Sequence, residues 1–268
     1  MAAAAASSNK AKIARRVIEV LDYFDDDHRE ATVMDIVRRY NRPQSSTSEL
    51  LSSLVELGLL YKDPLSRSYS LTPRAALIGS SGQSEIVQRG RLVQLLDRLV
   101  AQTGLSVALF GRVCLNSQII SWRAGSRASG AARNLFGGLQ TPLSDTAAGW
   151  LLLSTVAQPR RDGVIRRLNA EAADDRKFVP AEMAARILAC YDQGHVEGPV
   201  GYGSKANVLA VLLPGQPADH PLAVGFVYGA DDKVNLASLL ECLHEATSQL
   251  LGELTVDSAS VQRLPTAA

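Results

Sequence analysis

The chain has 268 residues, of which 46% are hydrophobic and 21% charged, and its formal net charge is +1 at pH 7. A chain of this length and composition can bury one or two sizeable cores, and its balanced charge excludes a generally basic protein. No apolar run approaches the ~18 residues that a membrane span requires, and the start "MAAAAASSNK" lacks the basic beginning and leucine-rich core of a signal peptide. We therefore expect a cytoplasmic protein with no membrane partner, in which residues 1–9 form a disordered tail.

The cysteines and histidines offer no recognisable metal site. Cys114, Cys190 and Cys242 are odd in number and far apart, which favours neither a disulfide framework nor a zinc site. His195 and His220 add no zinc-ligand spacing to them. We therefore expect neither a metal ion nor a cofactor.

Two helices are predicted at the start of the chain. Residues 13–24 place apolar side chains at three- and four-residue spacing, and the acidic cluster "DDDHRE" ends that helix. Thr32 and Asp35 have the spacing of a capping box, in which side chains and backbone at a helix start exchange hydrogen bonds. The second helix should begin after Thr32 and end near Asn41, a residue that tolerates left-handed backbone geometry.

A third helix is predicted in the stretch "RPQSSTSELL", which begins at Arg42. Pro43 suits a first helical turn and restricts Arg42 to extended conformations. Ser46 and Glu49 again have capping-box spacing. The leucines that follow face a core, and Gly58 is placed as a left-handed stop. Helix, tight turn and helix together have the length of a helix-turn-helix.

A β-hairpin is predicted directly after the helix-turn-helix, from strands at residues 59–62 and 68–71. Such a hairpin is a wing. Its tip offers Lys62 and Arg67 to a phosphate backbone, although basic residues on an exposed hairpin also serve solubility alone. Helical periodicity returns at residues 77–103, interrupted early by "GSSGQS", where we place the domain boundary.

The rest of the chain alternates strands and helices. Strands are predicted at residues 106–113, 118–122, 207–213 and 222–228, and helices at residues 147–155, 160–172, 180–193 and 235–254. Adjoining strands with helices grouped between them favour an α+β domain with a largely antiparallel sheet. Ser144 or Asp145 is expected to cap the helix "AAGWLLLST", whose free amides would suit a carboxylate.

The stretch "RPQSSTSELLSSLVELGLLYKDPLSRSYSLTPRAALIG" resembles the recognition helix, wing and linker of the IclR family of bacterial transcription regulators. "TPLSDTAAGWLLLST" is similar to the family stretch that lines an effector pocket from beneath. The resemblance implies an α+β chain in which an N-terminal winged helix-turn-helix is joined by a connecting helix to a GAF-like antiparallel-sheet effector domain. The corresponding ranges are residues 10–79, 80–104 and 105–255, followed by a flexible tail at residues 256–268. In "GHVEGPVGYGSKANVLAVLLP" the family's glutamate-to-glycine spacing is altered.

In that arrangement the first turn of the third helix enters the major groove, where short polar side chains permit close approach. The predicted DNA contacts are Thr32 at the preceding helix start, Arg42, Gln44, Ser45, Ser46 and Ser48 on the third helix, and Lys62 and Arg67 on the wing. Glu49 opposes this role, since a carboxylate near phosphates lowers affinity unless the capping box holds it inward. The protein is predicted to regulate transcription from double-stranded DNA as a homodimer or homotetramer.

An effector site is predicted at Thr141, Ser144, Asp145 and Thr146, with Trp122, Leu139 and Phe226 as its walls. The expected effector is a small organic molecule, such as a carboxylate or an aromatic acid, that binds one arrangement of the DNA-binding pair better than another. The aromatic and leucine residues are alternatively plain core. In a second hypothesis the C-terminal domain only oligomerises and binds no ligand.

An enzyme is the least favoured interpretation. "GPVGYGSK" nearly copies a phosphate-binding loop, but Ser204 and Lys205 stand in reversed order and no buried strand clearly precedes them. No Ser-His-Asp arrangement follows from the spacing of these residues. The polar residues therefore indicate binding rather than catalysis.

Overall fold

The computed structural model describes residues 9–25, 27–79, 87, 90–217 and 219–261, with side chains from residue 12 to residue 250. The chain divides into two compact units between Gln83 and Ser84. Residues 1–8 of the predicted N-terminal tail, residues 262–268 of the predicted C-terminal tail and most of the predicted helix across residues 80–89 lie outside the described residues, and Asn9, which was predicted as tail, is the first residue of a helix. Among the described residues, no helix combines the length and the apolar character needed to cross a membrane.

The first unit is a helix-turn-helix followed by a hairpin. Its elements are α1 (Asn9–Tyr23), α2 (Val33–Tyr40), α3 (Gln44–Glu56), β1 (Leu60–Lys62), β2 (Tyr69–Leu71) and α4 (Pro73–Leu77). The apolar faces of the helices and of the hairpin meet in one core, in which Ile36, Leu51 and Tyr69 are fully buried. β1 and β2 pair antiparallel with Leu60 opposite Leu71. The predicted winged helix-turn-helix is therefore confirmed.

The start and the end of α2 follow the predicted chemistry. Thr32 is the N-cap, and the carboxylate of Asp35 accepts hydrogen bonds from its amide at 2.8 Å and from its hydroxyl at 2.7 Å. The capping box at this position is confirmed. Asn41 ends the helix in the left-handed region, with φ 49° and ψ 56°, which turns the chain towards α3.

The capping box predicted at Ser46 and Glu49 is wrong. α3 begins at Gln44, with Pro43 in extended geometry as its N-cap, so Ser46 already lies inside the first turn. Its hydroxyl donates to the carbonyl of Pro43 at 3.3 Å instead of accepting from the backbone. The proline ring fixes φ near the value that a helix start requires, and this local constraint determines where α3 begins.

The second unit is an α+β domain built around a six-stranded sheet. Its elements are α5 (Arg91–Thr103), β3 (Ser106–Val113), β4 (Asn116–Arg123), β5 (Gln140–Pro142), α6 (Ala147–Ser154), α7 (Arg160–Glu171), α8 (Pro180–Gln193), β6 (His195–Pro199), β7 (Asn207–Leu212), β8 (Leu222–Tyr228) and α9 (Leu236–Val261). The strand order is β5-β4-β3-β8-β7-β6, and every neighbouring pair is antiparallel. This confirms the predicted fold class.

The sheet has a core on each face. On β3, Ala108 and Phe110 face a cluster formed with α6, α7 and α8, whereas Val107 and Leu109 face a cluster formed with α5 and α9. This alternation is the two-residue period of a strand. Burial on both faces explains why β3, β7 and β8 are nearly continuous apolar runs.

The differences from the sequence prediction include the end of α9 and the two edge strands of the sheet. α9 continues to Val261, past the predicted end at residue 254, so residues 256–261 are helical rather than part of a tail. The edge strands β5 and β6 were not predicted. β5 has only three residues, and β6 contains both a glycine and a proline, which sheets tolerate at edges.

Candidate functional site

The first turn of α3 presents polar side chains to solvent. Gln44 and Ser45 are exposed and Ser48 is half-buried, whereas Thr47 and Leu51 turn into the core. Among the described residues, no hydrogen-bond partner occupies the side chain of Gln44 or Ser45. In a helix-turn-helix the second helix of the motif, here α3, is the element that enters the major groove. The first turn therefore carries two polar side chains available to a DNA base.

Two other predicted contact residues are bound to α1. Arg16 donates from Nη2 to Oγ of Ser46 at 3.2 Å. Arg42 donates from Nη2 to both carboxylate oxygens of Glu19, at 2.9 and 3.1 Å, and its Nε is buried without a hydrogen-bond partner in the described part of the chain. The structure therefore places Ser46 and Arg42 where they hold the start of α3 against α1.

The outward face of α3 is acidic. The helix "QSSTSELLSSLVE" contains no lysine or arginine, and both of its glutamates, Glu49 and Glu56, are exposed. Glu49 is free of the predicted capping box and lies one turn after Ser45. Arg38 and Arg39, in the last turn of α2, are exposed. Attraction to phosphate groups must therefore come from elements other than α3.

The wing places its two predicted basic residues at the exposed end of the hairpin. The ammonium of Lys62 lies 5.5 Å from the centroid of the Tyr69 ring, close enough for a cation–π contact. Arg67 is exposed with φ 58°, and its amide donates to the carbonyl of Asp63 at 3.0 Å. The amide of Leu65 donates to the Asp63 carboxylate at 2.7 Å, and such backbone hydrogen bonds lower the pKa of that carboxyl.

The predicted effector residues lie where β5 leads into α6. A 3-10 helix spans Leu143–Asp145, and Thr146 is the N-cap of α6. The predicted cap at Ser144 or Asp145 is therefore wrong, because both residues belong to the preceding turn. A Cβ atom at Gly149 would collide with the carbonyl of Leu143, so glycine at this position permits the turn to pack directly on the helix.

Hydrogen bonds engage most polar groups of this turn. Ser144 donates from Oγ to Oδ1 of Asp145 at 2.7 Å, and its carbonyl accepts from Nε1 of Trp150 at 2.8 Å. Arg176 pairs with Oδ2 of Asp145 at 3.3 Å. Thr146 is the exception, since its Oγ1 is fully buried and has no hydrogen-bond partner among the described residues. The start of α6 therefore already holds a carboxylate, that of Asp145, together with one unused hydroxyl.

The three predicted wall residues do not share one face of the sheet. Trp122 and Leu139 pack against the cluster that contains α6. Phe226 is fully buried in the opposite cluster, with α5 and α9. It therefore cannot line the same cavity as Trp122 and Leu139, and its assignment as a pocket wall is corrected to core.

A tyrosine that the sequence analysis did not select lies in the middle of this region. The hydroxyl groups of Tyr202 and Ser117 share a hydrogen bond of 2.8 Å, and the Tyr202 ring stacks on Phe110 with centroids 6.3 Å apart and an interplanar angle of 20°. Burial raises the pKa of Tyr202 well above its ordinary value, so the phenol stays protonated at neutral pH. The available signal was the aromatic residue between two glycines in "GPVGYGSK".

The loop of residues 198–205 does not have the geometry of a phosphate-binding loop. It connects β6 to β7, two antiparallel strands, whereas a phosphate loop leads from a strand into a helix. The hydroxyl of Ser204 donates to the carbonyl of Ala131 at 2.7 Å. Among the described residues, no group of three or more metal-ligating side chains is assembled.

A winged helix-turn-helix followed by an α+β unit with a curled antiparallel sheet defines a two-part DNA-binding transcription regulator. The model of the IclR helix-turn-helix domain matches residues 14–64. The transcriptional regulator TsaQ1/TsaQ2 of Comamonas testosteroni is 26% identical over 219 residues, which cover 80% of this chain and 77% of that protein. Residues 14–64 therefore form an IclR-type helix-turn-helix domain, and the chain is similar to a transcriptional regulator over most of its length.

Solved structures with a similar fold include relatives of both units. The effector domain of the regulator IclR from Acinetobacter sp. ADP1 is 26% identical, with a TM-score of 0.53, over 62% of this chain and 98% of that one. An IclR homologue from Microbacterium hydrocarbonoxydans, complexed with 4-hydroxybenzoate, has a TM-score of 0.58 at 18% identity, over 91% of this chain and 99% of that one. The names of these relatives describe transcriptional regulators or their homologues.

Proposed function

We propose that the protein controls transcription by reading an operator in double-stranded DNA with the first turn of α3. The observation that carries this proposal is the pair Gln44 and Ser45, which is exposed and without a partner among the described residues at the outer end of a helix whose other face is buried. Glutamine can form two hydrogen bonds with adenine, and a small serine permits close approach of the helix. Such a regulator would act in the cytoplasm.

The proposed contact set differs in part from the one that the sequence predicted. Ser48 and Glu49 join Gln44 and Ser45 as residues facing the bases, and Glu49 can accept a hydrogen bond from the amino group of cytosine. Phosphate contacts come from Lys62 and Arg67 on the wing and from the amides at the start of α2, next to Thr32. Ser46 and Arg42 act by positioning α3, because both already bind α1.

Selection and mobility-shift measurements test this set. Duplexes selected from a random library by the purified protein define the operator, and the affinity of variants is then compared at fixed salt. We expect Gln44→Ala to lose about 1 to 3 kcal/mol on that operator and to relax preference at one base position, whereas Lys62→Ala should weaken all sequences alike. Gln193→Ala, an exposed glutamine of the second unit, is the matched control. Unchanged binding by Gln44→Ala would refute the base-reading role.

We further propose that the protein binds its operator as a dimer or a pair of dimers. One helix-turn-helix buries too little surface against DNA to recognise a specific site, so these modules usually bind as dimers. Support comes from α1, where Ile13 and Ile18 are 58% and 55% exposed although they are large and apolar. Sedimentation of Ile18→Glu against the unmodified protein tests this surface, since a smaller species is expected if α1 lies in the interface.

The proposed effector is a small aromatic or other organic acid. The family likeness supports this class, as does the structural relative complexed with 4-hydroxybenzoate. Arg176, next to Asp145, is a candidate partner for a ligand carboxylate. A specific observation favours the alternative, a C-terminal unit that only oligomerises: Tyr202 fills the space near the predicted site.

Thermal stability in the presence of candidate acids separates the two alternatives. A ligand that binds the folded protein at one hundred times its Kd stabilises it by about 2.7 kcal/mol, whereas a pure oligomerisation unit gains nothing. 4-Hydroxybenzoate, benzoate and acetate form a suitable first series, because they separate the contributions of the hydroxyl, the ring and the carboxylate. An acid that raises the melting temperature should also alter operator affinity, since effector and DNA binding are reciprocally coupled.

A further inference from the structure

Three consecutive residues in the loop between β6 and β7 have left-handed backbone geometry, and the middle one is aromatic. Gly201, Tyr202 and Gly203 have φ values of 84°, 56° and 73°. Glycine adopts this geometry freely, but a bulky residue does so only at a cost in free energy. Residues held in this way concentrate at functional sites, where the surrounding structure enforces the conformation.

The side chain of Tyr202 connects the two ends of the sheet. Its loop follows the edge strand β6, whereas its hydrogen-bond partner Ser117 lies on β4 opposite Thr141 of the other edge strand, β5. Ser117 and Phe110, which contact the phenol, are both fully buried. The sheet therefore curls around a space that is shaped for one phenol ring and contains a buried hydroxyl to recognise it.

This space adjoins the predicted effector residues. A Cβ atom on Gly201 would lie 3.0 Å from the carbonyl oxygen of Asp145, 3.0 Å from Cβ of Thr146 and 3.3 Å from Cγ2 of Thr141. The loop is thus packed directly against the start of α6. Thr146 contributes the buried Oγ1 that has no hydrogen-bond partner within the described residues, which is an unusual and costly state for a buried polar atom.

We propose that the space filled by the Tyr202 ring is a binding site for a small para-substituted phenol, and that Tyr202 occupies this site until such a ligand displaces it. The ligand hydroxyl replaces that of Tyr202 as the partner of Ser117, and the ligand ring stacks on Phe110. Thr146 offers its unused hydroxyl nearby. The flanking glycines let the loop swing out, and the displaced Tyr202 leaves its strained backbone geometry. This inference rests on the proposed function only in taking the second unit as a ligand-binding domain.

The test compares the affinity of one probe for three proteins. The probe is 4-methylphenol, which reproduces the tyrosine side chain, and binding is measured by calorimetry on the unmodified protein, Tyr202→Phe and Tyr202→Gly. Tyr202→Phe removes the hydrogen bond that holds the resident ring, so we expect about five- to tenfold tighter probe binding than to the unmodified protein. Tyr202→Gly, which also removes the competing ring, should bind more tightly still. Tyr191→Phe, at a tyrosine that is 66% exposed, should leave the affinity unchanged.

Two further measurements identify the mode of binding. Ser117→Ala should reduce the preference for 4-methylphenol over toluene, which lacks the hydroxyl. In protein labelled with 3-fluorotyrosine, the fluorine signal assigned to Tyr202 by its loss in Tyr202→Phe should move to the position of an exposed tyrosine when the probe is added. A structural tyrosine would give no such movement.

Several results would overturn the proposal. If the unmodified protein does not bind 4-methylphenol at millimolar concentration although Tyr202→Gly does, the ring is a permanent part of the core. If folded Tyr202→Gly does not bind the probe either, the space is not a ligand site. Unchanged operator binding by α3 variants would contradict the proposed function and leave these ligand measurements unaffected, so the two failures can be told apart.

Discussion

The two units arrange their polar groups in opposite ways. In the first unit, Gln44 and Ser45 sit at the exposed end of α3, and their side chains have no partner within the described residues. In the second unit, the polar residues around the start of α6 are turned inward, and Tyr202 fills the space beside them. The proposed DNA-binding surface is thus exposed to solvent, whereas the proposed ligand site is filled by Tyr202.

This difference follows from the chemistry of the two proposed partners. DNA is large and highly charged, so a few side chains on a rigid, exposed helix suffice and phosphate contacts supply much of the affinity. A small ligand must be surrounded, and an empty apolar cavity of its size would destabilise the unliganded domain. In the proposed ligand site the Tyr202 ring fills this space, which avoids that cost and makes ligand binding a competition with the side chain.

The largest expected effect is on stability, and it tests whether the exposed surface of α3 depends only on the small core of the first unit. Leu51 in α3 and Leu152 in α6 are both fully buried leucines, and replacing either by alanine should cost about 2 to 5 kcal/mol. The first unit is small and has little stability to spare. We expect Leu51→Ala to abolish operator binding while the second unit stays folded, as followed by urea denaturation and circular dichroism. Equal loss of both units would contradict this separation.

The next largest effect is also on stability, and it tests whether the loop that carries Tyr202 is packed tightly against the start of α6. Gly201→Ala places a Cβ atom 3.0 Å from the carbonyl of Asp145, whereas Gly203→Ala meets nothing within 4 Å, and both positions have positive φ. Backbone strain costs each variant roughly 1 to 2 kcal/mol, and overpacking should cost Gly201→Ala about 1 to 3 kcal/mol more. Urea denaturation of the two variants gives the difference directly. Equal stability would mean that the loop is not closed on α6.

A smaller effect on operator affinity concerns how Arg42 positions α3. Arg42 and Glu19 have side chains that are 39% and 22% exposed, so their pairing should contribute about 0.5 to 1 kcal/mol in a double-mutant cycle. If Arg42 only positions α3, Arg42→Ala and Glu19→Ala should weaken operator binding to the same extent. If Arg42 contacts DNA, Glu19→Ala should release it and leave the affinity unchanged or higher, while Arg42→Ala lowers it.

The sequence was most informative where structure depends on near neighbours. Hydrophobic periodicity and the flanking turn residues predicted the observed bounds of two strands, Ser106–Val113 and Leu222–Tyr228, and of the helix Pro180–Gln193. The polar turn at Gln44 was likewise predictable, because a proline, an apolar face and a following hairpin all lie close by in the chain. Where two local signals competed, as at Pro43 and Ser46, spacing alone did not determine which would start the helix.

The second site depends on contacts that no local pattern encodes. Ser117 and Tyr202 are separated by 85 residues, and they meet because the sheet curls until its two ends approach. The edge strands that bring them together, β5 and β6, are also the two that the sequence did not show, being short or interrupted by glycine and proline. Phe226 was misassigned for a related reason, since the face of a strand residue follows from strand register and not from residue type.

The smallest predicted effect concerns the charge at the start of α2, next to the exposed surface of α3. Hydrogen bonds from the side chain and the amide of Thr32 hold the pKa of Asp35 below its ordinary value. Because the folded-state pKa is depressed, this contribution to stability is fully present above the unfolded pKa of about 3.9 and is lost as the pH falls through the folded value. Asp35→Ala should lower stability at pH 7 by about 0.5 kcal/mol, at the low end for a helix cap. Asp35→Asn keeps an acceptor for the amide but cannot titrate, so its stability relative to the unmodified protein should improve as the pH falls from 5 to 2. An unchanged difference between these two proteins over that range, measured by thermal denaturation, would show that the carboxylate makes no net contribution there.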